Sequence, residues 1–131
     1  MNMGYTVWPD GRLGEMLRAV HDERLRQEDL KEKGKFLWTC ADVFIDKMSH
    51  LNERWQISHA RKLSVLAEEF GEVSREITDY DIAIDKYAVE ILSFPEHRHR
   101  HFLERIKTEL IQVAAVAVAW CEAIDEELER L

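Results

Sequence analysis

The residues best suited to chemistry are carboxylates. Glu68-Glu69-Phe70-Gly71-Glu72 lies within a helical pattern, and Glu69 and Glu72, three apart, project from one side of a helix. Glu76 continues that row one turn on. Glu69 and Glu72 each precede an apolar residue, Phe70 or Val73, so the pair borders an apolar stripe. Glu109 and Gln112 stand in the same relation to Leu110 and Val113 further along the chain. If the two helices pack antiparallel, these four side chains converge on a shared seam. Converging carboxylates cannot all stay ionised in a low dielectric without a cation. Oxygen ligands of this kind suit Mg²⁺ or Mn²⁺, above all where substrate phosphates complete the shell. Gly71 is expected to let another element approach the helix closely. A single Glu-x-x-Glu is usually solvated helix charge; its recurrence with the same offset on a second helix is the informative feature.

The elements that must carry these groups are helical throughout. A short arm, residues 1–11, closes with the turn chemistry of Pro9-Asp10-Gly11. From about Arg12, Leu13, Met16, Leu17, Val20 and Leu25 recur at helical spacing, and Gly34 is a C-cap candidate. Phe36, Leu37, Trp38, Ala41, Phe44, Ile45 and Met48 mark a second helix, followed by a connection over 49–55 with Asn52 as N-cap candidate. Leu63, Leu66, Phe70, Val73 and Ile77 define one buried stripe on a third. Asp79-Tyr80-Asp81 is expected to interrupt it, with a short helix over 82–92 and punctuation at Pro95. Leu103, Ile106, Leu110, Val113, Ala117, Trp120 and Ile124 define the last, from about His101 to Leu128. No period-two run bounded by hairpin turns occurs. The expected fold is all-α, a four- or five-helix bundle forming a single domain over residues 1–131.

Composition narrows the function. The chain has 131 residues, 46% hydrophobic and 34% charged, with 5 Gly and 2 Pro, which suits one folded domain and not a loop-rich sandwich. Its formal charge of −8, from 18 Lys+Arg against 26 Asp+Glu, argues against general nucleic-acid binding. Cys40 and Cys121 have no metal-ligand spacing and read as buried thiols in a reducing compartment. The N-terminus lacks the apolar run of a signal peptide, and the most apolar stretch, Leu110 to Ile124, is too short to span a bilayer. A cytoplasmic protein with no membrane partner is expected. A Gly-rich phosphate loop, a Gly-x-Ser-x-Gly elbow and an HExxH motif are all absent.

His97 and His101 would share a helix face at i,i+4 and could bind Zn²⁺, but with no third ligand nearby a solvated basic turn is the simpler reading. Arg98 and Arg100 in the same stretch could meet phosphates, as could Arg54, Arg61 and Lys62 before the acidic helix; Arg61 and Lys62 are preferred. Trp38 and Trp55 could stack on a base or serve in packing.

KLSVLAEEFGEVSREI followed by KTELIQVAAVAVAWCEAI resembles the MazG-like branch of the all-α nucleoside triphosphate pyrophosphatase superfamily, whose hallmark is Glu-Glu-x-x-Glu on one helix and Glu-x-x-Asp on a later one. Glu68, Glu69 and Glu72 match the first element and Glu109 opens the second, with Gln112 where Asp is usual. The segment His21 to Gln27, with Trp38 downstream, is similar to the N-terminal part of small MazG-like proteins. The resemblance covers about two thirds of the chain. It implies Mg²⁺-dependent hydrolysis of a (deoxy)nucleoside triphosphate to the monophosphate and pyrophosphate. Glu69, Glu72, Glu109 and Gln112 would be metal ligands, and Glu68 with Glu69 would be catalytic. Arg61, Lys62 and Trp38 would meet the substrate. It also implies a homodimer or homotetramer, in keeping with apolar stripes more extensive than one chain can cover. The stretch between the two motif helices is longer than the family's usual linker, and residues 80–101 are read as an atypical insertion. Gln112 removes one anionic ligand, so the alternative is a non-catalytic nucleotide-binding or helical interaction protein with a degenerate site.

Overall fold

The computed structural model describes residues 9–33, 59–89 and 93–131. These form three helices and no strand: α1 (Gly11–Glu32), α2 (His59–Val89) and α3 (Glu96–Arg130). The expected helix around Phe36 to Met48, the candidate caps Gly34 and Asn52, and Trp38, Arg54, Trp55 and Cys40 lie outside the described residues. None of the described helices is long and apolar enough to cross a membrane.

Local chemistry sets the helix ends. Asp10 takes the extended N-cap conformation ahead of α1, and at the far end Lys33 N–H donates to Asp29 O at 3.2 Å. Pro95, extended at φ −61°, caps α3, and its carbonyl accepts from Arg98 N–H (3.0 Å) and His99 N–H (3.2 Å). The expected break at Asp79-Tyr80-Asp81 does not occur; α2 runs through it. Asp79 and Asp81 point to solvent, where their poor propensity costs only tenths of a kcal/mol each, roughly. Tyr80 between them stacks on Phe102 with ring centroids 5.2 Å apart. That packing outweighs the local preference. Likewise α3 starts at Glu96, so the His-Arg run forms the first turns of a helix, not a solvated turn.

Helices α2 and α3 pack antiparallel, as three contacts in opposite order along the two helices show. Tyr80 meets Phe102, Glu76 meets Arg105, and His59 meets Trp120. Trp120 Nε1–H donates to His59 Nδ1 (2.9 Å), so the ring proton sits on Nε2, 2.8 Å from Glu127 Oε2. Helix α1 lies against α3. Its buried Arg24 reaches Glu122 through Nε (3.0 Å) and Nη2 (3.2 Å), with Gln27 (2.8 Å) and Glu28 (2.7 Å) completing the fork.

The small apolar core comprises Val65, Val73, Ala83, Phe102, Ala115, Val116 and Ala119. It is not the stripe the periodicity marks. On α2 only Val73 of the expected five is buried, while Leu63, Phe70 and Ile77 are exposed; on α3 Leu103, Leu110 and Ile124 are exposed. Both helices turn the preceding residue inward instead: Lys62 and Glu76 on α2 and Phe102 and Val116 on α3 are buried, and Glu69 and Glu109 are half-buried. Cys121, expected to be buried, is exposed.

Among the described residues Gly71 does not serve a close approach. A Cβ built there meets nothing within 4 Å, whereas one at Gly14 would collide with the Pro9 carbonyl. Gly71→Ala should therefore stabilise the protein by about 0.5–1 kcal/mol through helix propensity alone. Thermal unfolding monitored by circular dichroism reads this directly, and a lower melting temperature would show that something does approach that face.

Candidate metal centre

The one-residue offset between apolar and acidic residues decides what lies in the seam. Because α2 turns Glu69, the residue before Phe70, toward α3, Glu69 lies half-buried at the interface with Glu72 half-buried beside core Val73, and Glu109 comes to them from α3. One carboxylate oxygen from each of Glu69, Glu72 and Glu109 lies within 4.8 Å of the others. A hard cation with ligands at about 2.0–2.1 Å holds its oxygens roughly 3–4 Å apart, a separation that lies inside this limit. Burial and the charges of Glu72, Glu109, Glu68 and Glu23 raise the Glu69 carboxyl above its ordinary range. Glu109 is raised by burial, by a hydrogen bond with Glu72 and by the charges of Glu72 and Glu76, against the opposing pull of Arg105. The donors are hard, anionic and mutually repelling, which fits a divalent cation.

The remaining predicted residues fall around this cluster. Glu68 is exposed at its edge, on the flank of α2 that also carries Arg61 two turns earlier. Lys62 is buried, only 4% exposed, on the inward row two turns before Glu69. Gln112 is half-buried one turn beyond Glu109. Trp38 lies outside the described residues. Among the described residues the Glu triplet is the only group of three or more that could hold a metal, so the His97/His101 pair gains no third ligand.

Arg98 is committed elsewhere: its guanidinium lies over Tyr87, Phe94 and Phe102 at 5.4, 5.3 and 5.9 Å and donates to Tyr87 Oη at 3.3 Å. Tyr80 Oη pairs with His99 Nδ1 in the same cluster. Tyr80, Tyr87, Phe94, Arg98, His99 and Phe102 thus form an aromatic lock between the end of α2 and the start of α3.

Two pairs escaped the sequence reading. Glu23 on α1, whose charge reaches Glu69, is held in a two-bond ion pair by Arg26. Glu76 on α2 is bonded by Arg105 Nη2 at 2.7 Å, and its other oxygen is buried without a hydrogen-bond partner. The extension of the Glu69–Glu72 row to Glu76 was visible in the sequence; Arg105 as its partner was not, because it lies on a different helix, whereas Arg26 stands three residues from Glu23 on the same one.

The described residues together define an all-helical arrangement with an oxygen-rich anionic cluster at a helix seam. No family model, curated protein or solved structure matches the chain.

Proposed function

We propose that this protein is a divalent-cation-dependent nucleoside triphosphate pyrophosphohydrolase of the MazG-like type, acting in the cytoplasm on (deoxy)nucleoside triphosphates. The observation that supports this reading is the convergence of Glu69, Glu72 and Glu109 from two helices, the residues on which the family resemblance rests. Mg²⁺, with Mn²⁺ as substitute, is the cation that carboxylate and phosphate oxygens favour. When bound it would neutralise triphosphate charge and acidify a coordinated water. Glu69, Glu72 and Glu109 hold it, with the Gln112 amide oxygen as a neutral fourth donor.

Water adds to the α-phosphorus, the bond to the α,β-bridging oxygen breaks, and pyrophosphate leaves. Glu68, exposed at the rim beside Glu69, orients that water and accepts its proton. Arg61, on the flank of Glu68, meets the departing phosphates; Lys62 lends positive charge from within the seam, and Trp38 meets the base. The assembly in this reading is a four- or five-helix bundle completed as a homodimer or homotetramer.

A second reading keeps the cation and the nucleotide but not turnover. Gln112 favours it, because a neutral donor at the second motif's last position weakens the site. The test is pyrophosphate release from a panel of NTPs and dNTPs with Mg²⁺ or Mn²⁺, for the natural protein and Gln112→Asp. The pyrophosphohydrolase reading expects turnover abolished by chelation and faster, at lower cation concentration, in Gln112→Asp. Silence in both proteins, with nucleotide still bound, would leave the binding protein.

A further inference from the structure

Glu76 is a buried anion with one of its two oxygens unanswered. The residue is only 8% exposed. Arg105 Nη2–H donates to Glu76 Oε1 at 2.7 Å, while Oε2 is buried and has no hydrogen-bond partner among the described residues. A carboxylate offers about four acceptor sites, and leaving a charged oxygen unmet in a low dielectric is costly. Buried charges are paired or coordinate metals. The guanidinium of Arg105, itself half-exposed, pairs with one oxygen only.

Position ties the other oxygen to the acidic cluster. Glu69, Glu72 and Glu76 succeed one another on α2 at intervals of three and four, one row over two turns. On α3, Arg105 and Glu109 are four apart and share a face. Because the helices run antiparallel and Arg105 meets Glu76, Glu109 falls between Glu76 and the Glu69–Glu72 pair. The electrostatics agree, since the charges of Glu72 and Glu76 both act on Glu109 and that of Arg105 opposes them. Glu76 does not belong to the group whose oxygens lie within 4.8 Å of one another. It borders that group one turn further along α2, and it stands outside both acidic motifs, Glu68 to Glu72 and Glu109 to Gln112.

Charge and ligand number say what suits this position. Glu69, Glu72, Glu76 and Glu109 together carry more negative charge than Arg105 and one divalent cation offset, before a triphosphate arrives with more. A proton would quench Glu76 but would forfeit its charge-assisted bond with Arg105. A second divalent cation keeps that bond, because it takes the other oxygen. Two protein carboxylates are enough: Mg²⁺ is commonly held by one or two, with water and phosphate oxygens in its remaining positions. Paired divalent ions recur around phosphoryl groups for the same electrostatic reason.

We infer that Glu76 and Glu109 form a second divalent-cation subsite beside the Glu69–Glu72–Glu109 triplet, completed by water and by phosphate oxygens of the substrate. The inference rests on the proposed reading of the triplet as the first cation's site. Mn²⁺ alone, titrated into the metal-free natural protein and counted by loss of the free-ion electron paramagnetic resonance signal, tests it, with circular dichroism as the control for folding. The natural protein should take two ions per chain. Glu76→Gln should take one, with the affinity of the tighter ion unchanged. Arg105→Gln, in which the competing guanidinium is gone, should hold the second ion several-fold more tightly. One ion per chain in the natural protein, or two in Glu76→Gln, would overturn the inference and leave the triplet and the proposed activity standing. A second ion bound no more tightly in Arg105→Gln would reduce Glu76 to that arginine's partner and overturn it as well. No Mn²⁺ bound at all would remove the first site, and the proposed function with it.

Discussion

Glu69→Gln should have opposite effects in the absence and presence of a divalent cation. Without metal the variant should melt higher than the natural protein at neutral pH. With Mg²⁺ or Mn²⁺ the natural protein should gain stability and the variant should not, and cation affinity should fall by more than about a hundredfold. The reason is that Glu69 stands where burial and the charges of four neighbouring carboxylates oppose its own charge, a cost that a bound divalent cation offsets. The folded-state pKa values of Glu69 and Glu109 are both raised. Between the ordinary carboxylate value and the raised one, the folded protein binds more protons than the unfolded chain. Stability of the metal-free protein therefore falls as pH climbs through that window and stays lower above it. A saturating cation should flatten this slope, and Glu69→Gln should shrink it. Differential scanning calorimetry across pH, with and without metal, resolves both effects. A variant no more stable than the natural protein without metal, or equally stabilised by it, would remove Glu69 from the site. Pyrophosphate release, if present, should disappear with the cation affinity.

Much of this site is legible in the sequence because its spacing is helical and its offset repeats. Glu69 and Glu72 preceding Phe70 and Val73, and Glu109 and Gln112 preceding Leu110 and Val113, are enough to pair two helices and to bring their carboxylates to one seam. What the periodicity does not decide is which of two adjacent rows faces the partner helix. Hydrophobicity alone assigns Leu63, Phe70 and Ile77 to the interior, yet these are exposed, and Lys62 and Glu76 are buried. Burying charge in preference to an apolar stripe runs against transfer free energies, so periodicity alone points to the wrong row. The continuity of α2 through Asp79 and Asp81 was illegible for a different reason: its cause is Tyr80 on Phe102, a contact between residues of two helices. The buried fork of Arg24 depends in the same way on Glu122, far away in the chain. Nothing in the residues around Arg24 announces it.

Arg105→Gln should destabilise the protein more than any other single change at its surface. The Glu76 side chain is 10% exposed and that of Arg105 is 53% exposed, so the pair is a buried anion answered by a cation at the rim. One Glu76 oxygen has Arg105 Nη2 at 2.7 Å and the other has no hydrogen-bond partner. Removing the guanidinium strands a buried carboxylate, at a cost of about 3 kcal/mol. Glu76→Gln, which removes the charge itself, should cost only about 1 kcal/mol. The double variant should be no worse than Glu76→Gln alone, a coupling of about 3 kcal/mol in a double-mutant cycle by urea unfolding. Additive losses would mean that the two side chains do not meet. The pair also adjoins the acidic cluster: the charge of Arg105 pulls the Glu109 carboxyl down while that of Glu76 pushes it up. Without Arg105, Glu109 faces Glu72 and Glu76 with that opposing pull removed. A divalent cation should then recover a larger share of stability in Arg105→Gln than it adds to the natural protein, because the carboxylates it would meet are less well compensated.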